Sequence, residues 1–188
     1  VAGNNTTARK TASLSAFIRT NTSKGTGGGD PTVSSGIVNA ARTDASTSNQ
    51  RAFTETLLKA VVSSVWSEGG EPEILMVGPF NKQAVSAFAG IAAQRYMAPA
   101  DGPSSIIGAA DVYISDFGAI SVVPNRFSRE RDAYIIDPDL VEMASLRPLQ
   151  SEELAKTGDA TKFMMLAEYG LQVNQEAGLG IIADLTTS

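Results

Sequence analysis

Residues 163–173, FMMLAEYGLQV, constrain the fold more than any other stretch of the chain. Phe163, Met165, Ala167, Tyr169, Leu171 and Val173 fall on one face of an extended chain, and Met164, Leu166, Glu168, Gly170 and Gln172 on the other. A period of two is a strand signal, because successive side chains of a pleated chain point to opposite sides. The pattern predicts a half-buried strand about 36 Å long at roughly 3.3 Å per residue. Alternation resumes at Leu179, Ile181, Ala183 and Leu185, after the polar NQEA at 174–177. That predicts a return strand and a long closing hairpin. Glu168 sits inside the apolar run and Arg147 follows MASL, so each charge needs a partner if buried. The two are therefore expected to lie together on neighbouring strands.

The remaining elements are shorter. Phe53, Leu57, Leu58, Val61, Val62, Val65 and Trp66 recur at spacings of three and four, which predicts a helix over 50–67. Ser48 or Asn49 would cap its start and Gly69-Gly70 its end. Trp66 lies on the apolar stripe and is assigned to the core. EILMV (73–77) reads as a buried strand, GPF as a turn, and 80–90 as a second helix with Val85 and Phe88 inward. Residues 91–104 read as a loop holding Arg95 and Tyr96. SSIIGA, DVYIS, AISVV and DAYIIDP then supply short strands. A strand, a helix and a group of strands make an α+β chain. Residues 21–50, rich in Gly, Ser, Thr, Asn and Asp, read as a long loop or flexible insertion.

The chain excludes much catalytic chemistry. Its 188 residues are 43% hydrophobic, enough for a real core, and include no histidine and no cysteine. Histidine triads, Cys-His dyads, disulfides and thiolate metal sites are thereby absent. Ser115-Asp116-Phe117-Gly118 contains the kinase Asp-Phe-Gly signature, but there is no His-Arg-Asp loop and no G-x-G-x-x-G. Strand-like flanks make it a tight hairpin, with Gly118 free to take a positive φ. The glycines at 27–29 lack a following Gly-Lys-Ser/Thr and are read as loop, not phosphate cradle. LAKTGDATK (154–162) reads as a hairpin tip turning at Gly158-Asp159. Asp137, Asp139 and Glu142 carry oxygens suited to a hard cation but lack a calcium-loop ladder, and are read as a turn with Asp139 capping a short helix. RFSRERD (126–132) mixes Arg126, Arg129 and Arg131 with Glu130 and Asp132, as an exposed or salt-bridged contact loop would. Arg9, Lys10, Arg19 and Lys24 precede the first acid, Asp30, yet the net charge is −5, which argues against a dedicated nucleic-acid binder. No apolar run approaches the roughly 20 residues of a membrane span. No catalytic residue, cofactor site or metal site is assigned.

The stretches RAFTETLLKAVVSSVWSEGGEPEILMVGPFNKQAVSAF, DVYISDFGAISVVPNRF, LRPLQSEELAKTGDATKFMMLAEYGLQVNQEAGLGIIADL and, near the start, ARKTASLSAFIRTNTS resemble the major capsid proteins of tailed bacteriophages. The resemblance implies an axial domain at about 45–145 with a mixed sheet flanked by helices. It also implies a peripheral region made of residues 1–44 and 146–188, with a long β-hairpin. The arm, extended loop and spine helix of that family would precede Val1, so the chain alone is expected to build no closed shells and to be a monomer or small oligomer in dilute solution. The implied role is a structural shell subunit of an icosahedral virion capsid, assembled in the bacterial host cytoplasm. Its partners would be other copies in capsomers, scaffold or decoration proteins, and packaged DNA held without sequence specificity, with no membrane. A cellular nanocompartment shell of similar fold is the alternative, and a metal-dependent enzyme using the carboxylates at 137–142 a more distant one. Arg95, Tyr96, Arg126, Arg129, Glu130 and Arg131 are the subunit-contact candidates.

Overall fold

The structure is a computed structural model that describes residues 5–6, 11–88, 111–156 and 158–187. Its centre is a six-stranded mixed sheet. The strands in chain order are β1 (Asn21–Ser23), β4 (Ile74–Val77), β5 (Val112–Ser115), β6 (Gly118–Pro124), β7 (Ala133–Ile136) and β10 (Gly180–Ile182). In space they run β1-β10-β7-β4-β6-β5. The pairs β1–β10 and β4–β6 are parallel and the others antiparallel.

Helix α1 (Glu55–Ser67) covers one face of this sheet. Thr54 is its N-cap, its hydroxyl oxygen accepting from the Leu57 N–H, and Glu55 complements the positive end of the helix. At the other end Gly69, at φ 87°, donates to the Trp66 carbonyl, and Gly70 donates to that of Val65. This is a Schellman stop, in which only glycine takes the left-handed position without a Cβ clash. Leu58, Val61, Val62 and Val65 pack on Leu75, Val77, Ile120, Val122, Ile135 and Ile182, with Phe53 and Phe88 edge-on at 5.5 Å. Burying each of the larger side chains contributes about 1.5–3 kcal/mol. Alternate positions of the same strands, Tyr134, Ile136 and Ile181, face the other side, where Ile18 and Leu179 join them. Helix α2 (Pro79–Ser86) opens with Pro79, whose missing N–H costs nothing in a first turn.

A second body is a two-stranded antiparallel ribbon. Strand β8 (Val141–Leu154) pairs with β9 (Lys162–Val173). Fourteen residues of β8 span twelve of β9, and the surplus is taken up by two register shifts on either side of Arg147. Pro148, with no N–H to give the ladder, lies within the second shift. Gly158, at φ 130°, turns the tip, as LAKTGDATK predicts.

Several expectations are corrected. The long hairpin exists, but β9 pairs with the segment before it, not with the one after. Residues 180–182 leave the ribbon and enter the sheet between β1 and β7. All three are buried, so that segment needs cover on both faces: α1 covers one, and the cluster around Ile18 and Leu179 the other. Strand β9 is not half-buried; most of it is exposed on both faces.

Residues 21–50 are not a flexible insertion. They contain β1 and the hairpin β2 (Thr32–Ser34) and β3 (Ile37–Ala40), which turns through Ser35 and Gly36, both at positive φ. Buried Asp184 ties this segment down. Its carboxylate accepts from the N–H of Gly25 at 3.0 Å and of Ala45 at 2.8 Å. A Cβ on Gly28 would strike that carboxylate, which accounts for one glycine of the run. Helix α1 starts at Glu55, not at 50, because Ser48 and Asn49 sit in a separate 3-10 turn. Asp137, not Asp139, caps the 3-10 turn Pro138–Leu140, accepting from the Asp139 N–H. The segment SSIIGA lies outside the described residues.

Candidate subunit-contact surface

Three exposed features lie outside the two hydrophobic clusters. The first is the ribbon. Cross-strand partners share a face, so Met143, Tyr169, Leu171, Met165 and Phe163 line one side, while Leu166 and Met164 line the other. Phe163 is 64% exposed and Met165 67%, and Met143, Leu146, Leu149 and Tyr169 are exposed to a similar degree. Arg147 and Glu168 pair across the ladder at 3.3 Å, as the sequence predicts. Both remain substantially solvent-exposed, so the pair does not compensate buried charge. At the root of the ribbon, Ala144, Leu146, Tyr169 and Leu171 face Phe17 and Gly36 across an open cleft of about 1160 Å³.

The second feature is the loop after β6. Asn125 anchors it: its N–H donates to the Val77 carbonyl at 2.9 Å, and its side-chain oxygen accepts from the Phe127 N–H at 2.9 Å. The Ser128 N–H closes a turn onto the Asn125 carbonyl at 3.1 Å. Phe127 stands at the tip of this turn, 90% exposed. Beyond the tip, Arg129 pairs with Asp44 and, at 3.7 Å, with Asp132. Arg131 lies 3.9 Å from Asp44. Burial pushes the Asp132 carboxyl up, against the lowering pull of Arg129 and of the Tyr134 hydroxyl, which donates to it at 3.2 Å. The hydrogen bond to Asp44 holds the Arg129 guanidinium above its ordinary value.

The candidate residues of this loop therefore divide. Arg129 and Arg131 fasten it to the segment around Asp44 within the chain, whereas Arg126 is exposed beside Phe127 with no ion pair among the described residues. Glu130 is exposed, and its backbone carbonyl accepts from the Asn81 amide. Arg95 and Tyr96 lie outside the described residues.

The third feature corrects the reading of Trp66. It is 54% exposed and stacks on Phe117, the tip residue of the SDFG hairpin, with ring centroids 5.2 Å apart. The hairpin itself is as expected, with Gly118 at φ 133° opposite Ser115. Together with Pro72, Glu71, Glu73 and Ala119 the two rings border a cleft of about 320 Å³. On the other side of Phe117, a cleft of about 340 Å³ is lined by Glu55, Lys59, Tyr113 and Asp116. There burial, reinforced by the hydrogen bond the hydroxyl donates to Glu55, pushes Tyr113 up to about 12.

Sequence reasoning misses Phe127 and the apolar residues of the ribbon as contact residues. The available signals are an aromatic flanked by arginines and an alternation whose second face, Met164 and Leu166, is also apolar. The carboxylates at 137–142 are engaged structurally: Asp137 accepts from the Glu71 N–H at 3.0 Å, and Glu142 from the Asn174 amide at 3.0 Å. Among the described residues no group of three or more Asp or Glu is placed to hold a metal ion. No helix among them is long and apolar enough to cross a membrane.

A model of the SU10 major capsid protein family matches residues 1–186. No curated protein matches the chain. Among solved structures, the virus-like particle of Pyrococcus furiosus aligns with 11% identity and a TM-score of 0.36, over 64% of this chain and 46% of that one. The holo-SrpI encapsulin complex of Synechococcus elongatus aligns with 15% identity and a TM-score of 0.41, over 73% of this chain and 51% of that one. The chain spans about half the length of each.

Proposed function

The chain belongs to the SU10 major capsid protein family, and we propose on that premise that it is a structural shell subunit of an icosahedral virion capsid that works by self-association rather than by catalysis. The observation that carries the proposal is the ribbon. Two strands unsupported by a third layer are marginal in water. This ribbon nevertheless leaves Met143, Leu146, Phe163, Met165 and Tyr169 exposed. A contiguous exposed apolar surface of this kind marks a contact with another macromolecule. In a shell of one repeated chain that macromolecule is another copy.

The same reading extends to domains and partners. The axial domain is about 45–145, and the peripheral region comprises residues 1–44 and 146–188. Strands β1 and β10 lie outside 45–145 yet belong to the same sheet as β7, so the axial sheet draws on both flanks. Assembly takes place in the host cytoplasm, decoration or scaffold proteins are further partners, and packaged DNA meets the inner face without sequence readout.

The test is assembly of the chain with Phe163→Ser and Met165→Ser. Both side chains are largely in water already, so the melting temperature is expected to stay within a few degrees. The parent chain is expected to form small oligomers such as rings as concentration rises, seen by sedimentation and negative-stain microscopy, and the variant to lose them. A parent that stays monomeric at every concentration, or a variant that assembles like the parent, would refute the proposal.

A further inference from the structure

We propose that Phe127 of one copy inserts into the aromatic cleft formed by Trp66 and Phe117 of a second copy, so that adjacent subunits join head to tail. The inference rests on the shell-subunit reading and names one of its contacts.

The donor side is preorganised. Asn125 closes the turn through both its side chain and its backbone, so Phe127 is held outward without further loss of freedom on binding. A 90% exposed phenylalanine on an ordered turn gains nothing within its own chain. The acceptor side is a cleft of about 320 Å³ walled by the two rings, Pro72 and Ala119.

Charge fits as well. The donor tip carries Arg126, exposed with no ion pair among the described residues, and the acceptor is rimmed by Glu71 and Glu73, with Asp116 beside Phe117. Opposite charges around an aromatic anchor supply register and orientation. Aromatic and arginine side chains in a pocket are the usual centres of binding energy.

Topology excludes the contact within one chain. The cleft lies at the Gly118 end of β6 and the turn follows its Pro124 end, so the seven-residue strand separates them by about 20 Å. Two different patches at opposite ends of one strand make a heterologous contact. Repeated with a closing rotation, such a contact generates a ring.

The chain has no cysteine, so engineered disulfides report the contact without background. Pro124→Cys places an exposed thiol at the base of the Phe127 turn and Ala119→Cys places one at the cleft, and both leave the rings and the charges intact. Mixed and oxidised, the two variants are expected to give a covalent heterodimer at least about tenfold above the yield from Ala160→Cys with Ala119→Cys, a pair that uses the ribbon tip instead. Adding Phe127→Ala or Trp66→Ala is expected to return the yield to that control, because truncating a central anchor weakens association about tenfold or more. A chain carrying both Pro124→Cys and Ala119→Cys is expected to form a ladder beyond dimers. A yield at the control level, or one unchanged by Phe127→Ala, would overturn the contact. Assemblies seen by microscopy alongside a control-level yield would overturn the contact alone. Cross-linking alongside ribbon variants that assemble like the parent would overturn the ribbon reading and leave this contact standing.

Discussion

Asp184 offers the sharpest test of how the fold holds its irregular segment. It is buried, sits at φ 60°, and spends both carboxylate oxygens on backbone N–H groups of residues far away in sequence, Gly25 and Ala45. Its own carbonyl accepts from the Arg51 N–H at 2.9 Å. Asp184→Ala leaves two donors without acceptors. A buried donor left unsatisfied costs about 1–3 kcal/mol, so the pair costs about 2–6. The left-handed backbone adds about 1 kcal/mol for alanine, since a Cβ is disfavoured there and Asp or Asn is tolerated. Asp184→Gly removes that backbone cost but not the lost hydrogen bonds, and should be about 1 kcal/mol more stable than the alanine variant. Asp184→Asn keeps one acceptor and the backbone tolerance, so about 1–3 kcal/mol is lost. The expected order of stability is parent, Asn, Gly, Ala. Urea unfolding followed by circular dichroism gives the four values, and hydrogen exchange at Gly25 and Ala45 reports whether the loss is local. An alanine variant within about 0.5 kcal/mol of the parent would refute the reasoning, and so would an alanine variant equal to the asparagine one.

Other consequences can be checked with the same unfolding assay. Gly70→Ala should destabilise by about 2 kcal/mol or more, because its Cβ would collide with the backbone of Gly178, which cannot rotate away as a side chain could. Glu176 is subject to burial, which raises its carboxyl, but hydrogen bonds from the Thr20 hydroxyl and the Arg19 and Thr20 N–H groups outweigh it and hold the group below its ordinary value. Its contribution is therefore present above the ordinary value of 4.5 and lost as pH falls through the depressed one, so Glu176→Gln should cost about 1–2 kcal/mol at neutral pH and almost nothing in strong acid. Glu168→Ala removes an exposed pair and should change stability by less than about 1 kcal/mol, with the difference shrinking in high salt. Calorimetric titration with ATP and magnesium should show no binding at micromolar affinity, since Asp116 is part of a two-residue hairpin loop rather than a phosphate site.

What the sequence reveals, and what it hides, follows from how local each signal is. The Gly69-Gly70 stop, the EILMV strand and the SDFG hairpin are decided by residues within a few positions of one another, and each is where the pattern places it. Trp66 misleads because an apolar stripe records the direction of the core but not where its cover ends; Val62 and Val65 reach the sheet, while Trp66 meets the exposed Phe117. Asp184 is invisible because its partners lie about 140 and 160 positions away in sequence. The ribbon partner is hidden for a different reason. Two register shifts in β8 each move its side chains to the opposite face, so a strand of fourteen residues never shows a sustained period of two. Only its partner β9 keeps the alternation, and the next alternating segment in the chain imitates its mate. The pairing of Arg147 with Glu168 is nevertheless legible, on the premise that two charges in apolar surroundings must compensate each other. The ribbon is exposed there, so that premise fails while the pairing holds. The two residues lie opposite each other between the two shifts, where the ladder has least to define its register. Opposite charges facing each other at that point favour this alignment over one slipped by a residue, which would carry Glu168 to the other face and leave Arg147 unpaired.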